Sequence, residues 1–133
     1  MRTRRVAFAV MAVAFVAGAT GCSPENTVNP NPVIWYDWTP DQPAMRALLT
    51  TTLVLNAGCL TGSDGTLLAF PETLGSWDAN TNTLTYGGDT FHLGDTINAG
   101  GGNGEFPSDV NFPPGCDVTN NSTGFLIQAT SLK

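Results

Sequence analysis

Very few side chains in this sequence have the types and the spacing that enzyme or metal chemistry requires. The single histidine, His92, has no second histidine or paired cysteines at the spacing of a zinc site. It lies on the strand parity opposite Phe91 and Leu93, which predicts that it faces solvent. A catalytic histidine needs a nucleophile and an orienting acid. Asp89, Asp95 and several Ser or Thr residues are available, but any Thr-rich chain offers such a set. The sequence therefore predicts a protein that is not an enzyme.

The carboxylates give no stronger signal for chemistry. A glycoside hydrolase needs a matched acidic pair across a polysaccharide cleft, and no pair is singled out by its setting in the chain. Asp64, Asp89 and Asp95 lie next to glycines and could offer oxygens to calcium, but the spacing of an EF-hand is absent. Asp beside Gly is also ordinary turn chemistry. The sequence predicts no metal site and no cofactor.

The charge balance excludes two classes of partner. All eleven acidic residues follow Cys22, where only Arg46 and Lys133 are basic. Nucleic-acid binding needs lysine and arginine against the phosphates, so no nucleic-acid partner is expected. An anionic lipid surface is excluded as a direct ligand for the same reason.

One aromatic cluster could form a binding surface. Trp35, Tyr36 and Trp38 fall within the apolar segment Val33 to Trp38. Such rings can stack on a sugar or a peptide, and on that interpretation they are candidate binding residues. The alternative, which the composition favours, is that the segment docks on the domain as an edge strand and its rings close the core.

A glycine tract is the second candidate binding element. Asn98 to Gly104 contains Gly100, Gly101 and Gly102 and is predicted to be a surface loop. The tract lacks the lysine and the following helix of a phosphate-binding loop. Two interpretations remain, a flexible loop or a place where a ligand or partner backbone approaches closely, which glycine permits.

The N-terminus has the three-part order of a secretory signal. Arg2, Arg4 and Arg5 precede an apolar run over 6–17, followed by small residues. The run is shorter than the roughly 20 residues that cross a bilayer. Ala17-Gly18-Ala19 fits an ordinary signal peptidase site, which would release the protein from the membrane.

Ala19-Thr20-Gly21-Cys22 resembles the lipobox of bacterial lipoproteins. The resemblance implies that residues 1–21 are removed and that Cys22 carries the lipid anchor. It implies a location outside the cytoplasm, with the membrane as partner through that anchor. Ser23 after the acylated cysteine resembles a signal for sorting to the outer membrane, if the organism has one.

Lipidation of Cys22 also accounts for an odd number of cysteines. The sequence has three, and the remaining two, Cys59 and Cys116, can pair in an oxidising compartment or stay reduced and buried. A disulfide across so long a loop would contribute about 4 kcal/mol.

The rest of the chain predicts a Pro/Asn-rich tether over 22–44 and a small β domain over 45–133. Thr39 to Gln42 has the residues of a helix start that is limited to a single turn. Short alternating strands are separated by turns such as 56–58 and Gly87-Gly88, and no helix-length apolar stripe occurs. The pattern predicts an all-β fold, either a five- to six-stranded barrel or a sandwich.

Short motifs in this domain resemble uncharacterised bacterial extracytoplasmic β domains with an OB-like shape. The residues that carry the resemblance are Gly58-Cys59-Leu60, Ala69-Phe70-Pro71, Phe91-His92-Leu93-Gly94-Asp95 and Gly100-Gly101-Gly102. The resemblance implies no activity. The leading hypothesis is a non-catalytic, membrane-anchored module that binds an envelope protein or a glycan. The alternatives are an accessory structural subunit of an envelope complex or a small cell-envelope hydrolase.

Overall fold

The computed structural model describes residues 31–116 and 123–133. These residues form nine strands and no helix, so the all-β prediction is confirmed. The strands are β1 Ile34–Tyr36, β2 Ala47–Asn56, β3 Cys59–Gly62, β4 Leu68–Pro71, β5 Gly75–Asp78, β6 Thr83–Tyr86, β7 Asp89–His92, β8 Thr96–Glu105 and β9 Thr123–Ile127.

Six strands form one sheet that curls on itself. Its order is β1-β4-β9-β8-β2-β3, with β1, β4 and β9 parallel to one another. The two outermost strands, β1 and β3, approach each other. The Leu60 N–H in β3 donates a hydrogen bond to the Pro32 carbonyl, which lies just before β1, at 2.9 Å. A bridge between Thr61 and Leu67 also links β3 to the start of β4. The sheet therefore has the curvature expected of a barrel.

The parallel strands are apolar on both faces, since both faces are covered. Neighbouring residues such as Phe70 and Ala69 belong to different cores on opposite sides of the sheet. The inner core includes Leu53, Leu60, Leu68, Phe70, Ile97, Phe125 and Ile127. The outer core includes Ile34, Tyr36, Trp38, Cys59, Ala69, Phe106, Cys116 and Leu126.

A three-stranded meander, β5-β6-β7, closes the inner core. Leu84, Tyr86 and Phe91 from this small sheet are buried in it. The Tyr86 hydroxyl donates to the Ala129 carbonyl at 2.6 Å, which fixes the meander to the chain after β9. The fold is thus a large curled sheet capped by a small one.

The predicted tight turns are confirmed. Ala57 and Gly58 join β2 to β3 with φ of 52° and 85°. Gly87 and Gly88 join β6 to β7 with φ of 58° and 84°. Positive φ at both central positions is the type I′ geometry that matches the twist of a hairpin. Thr39 to Gln42 forms a single turn, in which the Gln42 N–H donates to the Thr39 carbonyl.

The disulfide between Cys59 and Cys116 is confirmed. The two residues are separated by 57 positions and both are buried in the outer core. The bond joins the start of β3 to the end of the irregular segment 106–116. It thereby holds that segment against the outer face of the large sheet.

The predicted glycine loop is wrong, because 98–104 lies inside the ten-residue strand β8. Gly101 is buried, and a Cβ there would lie 1.9 Å from the Leu126 carbonyl oxygen in β9. Gly102 is covered by the Met45 side chain, and Gly100 pairs with Leu48 of the neighbouring strand β2. Glycine is needed at 101 for close packing of β8 against β9, and the tract is not a flexible loop.

Candidate functional site

Two half-buried tryptophans lie where the edge strands of the two sheets meet. Trp35 is in β1, an outermost strand of the large sheet, and Trp77 is in β5, an outermost strand of the small one. The Trp35 ring packs edge-on against Phe70, with ring centres 6.2 Å apart. Both indoles also rest on the inner core. Packing on one side therefore holds each ring in place while the other side stays accessible.

The tryptophans line a groove made of two adjoining clefts. A cleft of about 320 Å³ is lined by Asn31, Trp35, Glu72, Gly75, Ser76 and Trp77. A second cleft of about 250 Å³ is lined by Trp35, Tyr36, Asp37, Glu72, Asp109, Val110 and Asn111. Because Trp35 and Glu72 belong to both clefts, the two are continuous. We call their combined lining the tryptophan groove.

Glu72 is fixed between the two clefts by the backbone. Its N–H donates to the Tyr36 carbonyl at 3.0 Å, just after β4 ends at Pro71. Its side chain is exposed, as are those of Asp37 and Asp109. Three carboxylates thus face solvent along the two clefts, and no basic residue lines either cleft. The groove suits a hydroxyl-rich or cationic ligand and disfavours a phosphate.

Tyr36 and Trp38 do not form the exposed stacking platform that was one of the two interpretations of this segment. The Tyr36 hydroxyl donates to the Ile127 carbonyl, and burial raises the pKa of this phenol well above its ordinary value. The Trp38 indole N–H donates to the Pro43 carbonyl at 3.2 Å, and the ring is buried. The segment docks as an edge strand, which was the favoured interpretation, and Trp35 retains an accessible face.

His92 faces solvent, as its parity predicts. Its side chain is 67 % exposed, and its Nδ1 lies 3.7 Å from an Asp95 carboxylate oxygen. The same Asp95 oxygen accepts the His92 backbone N–H at 2.8 Å. No described contact brings a serine, threonine or cysteine nucleophile to the imidazole.

The three aspartates considered for calcium lie in separate places. Asp64 accepts the Thr66 hydroxyl and N–H, and these hydrogen bonds lower the pKa of the Asp64 carboxyl. Asp89 pairs with Lys133 at 2.7 Å, while Asp95 caps the turn after β7. Within 31–116 and 123–133, no group of three or more His, Cys, Asp or Glu side chains is placed to hold a metal ion.

Trp77, Glu72 and Asp109 were not predicted as site residues. The only local signal was the alternation in Gly75 to Asp78, where Trp77 shares a parity with Gly75. Their proximity to Trp35 depends on how the two sheets meet, and a short-range pattern carries no such information. The glycine candidates, Gly100 to Gly102, lie in β8 and line neither cleft.

No family profile, curated protein or solved structure matches the chain. The fold defines the protein only as an all-β domain with a curled six-stranded sheet and a three-stranded cap. In the part of the chain that the structure describes, no helix has the length and apolarity to cross a bilayer. The signal over 1–21, Cys22 and the tether up to residue 30 lie outside the described residues.

Proposed function

We propose that this chain is a lipid-anchored extracytoplasmic protein whose β domain is a non-catalytic binding module. The observation that carries the proposal is the tryptophan groove, where two half-buried indoles and three exposed carboxylates line a continuous cleft. Aromatic faces supply contact area with little loss of side-chain freedom, and carboxylates supply hydrogen-bond acceptors. The ligand is an envelope protein or a glycan.

The proposed location has two supports. The first is the likeness of Ala19 to Cys22 to a lipobox, which implies attachment by acyl chains at Cys22. The second is the disulfide between Cys59 and Cys116, which is compatible with an oxidising compartment outside the cytoplasm. The anchor would hold the domain on the cell membrane, or on the outer membrane if the organism has one.

An accessory structural subunit is the second candidate function. The observation that favours it is the exposed pair Met45 and Leu48 at the start of the large β2–β8 ladder, where Leu48 is 73 % exposed. Such side chains are covered when a subunit docks. This candidate predicts that Leu48→Ser releases the protein from a co-purifying complex and leaves ligand binding at the groove intact.

The binding proposal is tested with Trp77→Ala in the full-length protein. Capture of envelope proteins by cross-linking and binding to immobilised peptidoglycan fragments should both be measured against wild type. We expect loss of one of these two interactions, since Trp77 forms one wall of the groove. Leu93→Ala, a substitution of an exposed residue outside the groove, is the matched control. Unchanged capture of both ligand classes by the Trp77 variant would contradict the proposal.

Because Trp77 also contacts the inner core, the fold of the variant must be measured separately. Near-UV circular dichroism and the thermal midpoint serve this purpose. The conservative Glu72→Gln, which removes an exposed charge from the same groove, gives a second route that does not disturb packing. For the anchor, mass spectrometry should find that the mature chain begins at an acylated Cys22. The Cys22→Ser variant should no longer be recovered in the membrane fraction.

A further inference from the structure

One wall of the groove is the free edge of a strand. The cleft of about 320 Å³ is lined by three consecutive residues of β5, Gly75, Ser76 and Trp77. Successive side chains of a strand point to opposite faces of its sheet. A cavity that contacts three in a row therefore runs along the edge of the strand and not over one face. β5 is an outermost strand, with β6 on its other side.

The positions of the hydrogen-bonded pairs between β5 and β6 show which backbone groups of β5 lie on that edge. The Gly87 N–H donates to the Leu74 carbonyl at 3.0 Å, directly before the first ladder pair. Hydrogen-bonded and non-hydrogen-bonded pairs alternate along an antiparallel ladder. The N–H and C=O groups of Gly75 and Trp77 consequently point away from β6 and toward the groove. No described strand pairs with them.

The charge of the groove selects among possible occupants of this edge. Asp37, Glu72 and Asp109 line it, and neither cleft includes a lysine or arginine. Among the described residues, the two basic side chains are Arg46, which precedes β2, and Lys133, which pairs with Asp89. An occupant that carries positive charge would meet three exposed carboxylates and two indole faces, which attract ammonium and guanidinium groups.

We propose that the tryptophan groove receives an extended basic segment of a partner polypeptide, which adds to β5 as a fourth strand of the small sheet. The inference rests on the proposed function and names the ligand class of the same site. The outward-pointing groups of Gly75 and Trp77 pair with the backbone of the segment, and its lysine or arginine side chains contact Glu72, Asp37 and Asp109. Strand addition to an exposed edge is an established mode of peptide recognition.

The length of β5 sets the size of the recognised segment. Four residues span about 13 Å at the rise of an extended strand. A segment of roughly four to six residues is therefore sufficient, with side chains of one parity facing the carboxylates. A glycan could stack on Trp35 and Trp77, but it has no regular row of amides to match the strand edge.

The test uses the full-length protein and labelled hexapeptides of alternating lysine and valine. A matched peptide carries N-methyl groups on the amides of one edge, which removes those donors without changing side chains or charge. We expect the unmodified peptide to bind about tenfold more tightly than the N-methylated one, the effect of losing two main-chain hydrogen bonds. Hydrogen exchange at the Gly75 and Trp77 amides should slow when the unmodified peptide is bound.

Two protein variants test the charge contribution. Glu72→Gln should lower the affinity for the lysine peptide severalfold, since one ion pair is lost. It should also make that affinity less dependent on salt concentration. The control Glu105→Gln removes an exposed carboxylate at the end of β8, outside the groove, and should leave the affinity unchanged. A hexapeptide of alternating glutamate and valine should not bind.

Equal affinity for the two lysine peptides, or unchanged exchange at Gly75 and Trp77 when a peptide is bound, would overturn strand addition. Binding of a peptidoglycan fragment that is lost in Trp77→Ala, with no peptide binding, would also overturn it while the proposed binding function stands. If no peptide binds and Trp77→Ala changes neither the capture of envelope proteins nor the binding of peptidoglycan fragments, the proposed function fails as well.

Discussion

Trp35 and Gly75 lie against each other at the place where the two sheets meet. A Cβ on Gly75 would be 3.1 Å from Cη2 of the Trp35 indole, which is closer than side chains normally approach. The absence of a side chain on β5 thus leaves room for a large ring from β1. This contact positions the indole that the two clefts of the tryptophan groove share.

Gly75→Ala should destabilise the domain and disturb the groove together. The added methyl would also meet the Thr85 carbonyl oxygen at 2.9 Å and the Tyr86 ring at 3.0 Å. Overpacking of this kind costs about 1–3 kcal/mol. Chemical denaturation should show the loss of stability, and the Trp fluorescence spectrum should shift because the indole of Trp35 has to move.

The glycine tract of β8 offers a sharp internal comparison. At Gly101 an added Cβ would overlap the Leu126 carbonyl oxygen, so Gly101→Ala should cost about 3 kcal/mol or more by separating β8 from β9. At Gly100 the nearest atom would be the Ala129 Cβ at 3.5 Å, an ordinary contact. Gly100→Ala should therefore change the free energy of unfolding by less than about 1 kcal/mol, in the stabilising direction.

Urea titrations of the two variants measure this difference directly. Equal stability of Gly100→Ala and Gly101→Ala would show that the tract is not packed against β9 as described. Severe destabilisation by Gly100→Ala would show the same. Gly75→Ala and Gly100→Ala also form a matched pair. Both replace a strand glycine whose φ is not positive, so the two variants differ in the space available to the added methyl and not in backbone strain.

Loss of the disulfide should lower stability without changing the fold. Replacing Cys59 and Cys116 together by alanine opens a loop of 57 residues, which the chain-entropy model values at about 4 kcal/mol. The thermal midpoint of the double variant should match that of reduced wild-type protein. An unaltered midpoint after reduction would mean that the segment 106–116 is held by its packing alone.

The burial of the two tyrosines leads us to expect that the domain unfolds at alkaline pH. Tyr36 and Tyr86 are the only tyrosines in the sequence, and burial raises the pKa of both hydroxyls above the ordinary value of 10.0. A raised pKa in the folded state means that stability is fully present below pH 10 and decreases as the pH rises above it. Phenolate absorbance near 295 nm should therefore appear together with loss of the near-UV dichroism signal. Gradual ionisation of a folded protein would contradict the burial of these rings.

Local patterns were sufficient to predict some parts of the fold. Gly87-Gly88 predicted a primed hairpin turn because glycine adopts positive φ without a steric penalty, and both residues have positive φ in the structure. The parity of His92 against Phe91 predicted its exposure in the same way. Gly101 was misassigned because a glycine that permits a flexible loop and a glycine that permits close strand packing have the same sequence signal.

The tryptophan groove could be predicted only in part, because the residues that line it are far apart in the sequence. Trp35 was a candidate from its aromatic neighbours, but the parallel pairing of β1 with β4 was needed to bring Glu72 beside it. Trp77 reaches the groove because β5 belongs to a different sheet from β1. Contacts between distant segments of the chain are set by tertiary packing, which no window of a few residues contains.

The position of β9 in the middle of the large sheet determines when this domain can become stable. β9 lies between β4 and β8 and pairs with both, and its residues are at 123–127. A chain synthesised from its N-terminus contains the eight other described strands before this central one. The six-stranded sheet can therefore be completed only after residues 123–127 are available, and its formation depends on pairing between segments that are distant in the chain.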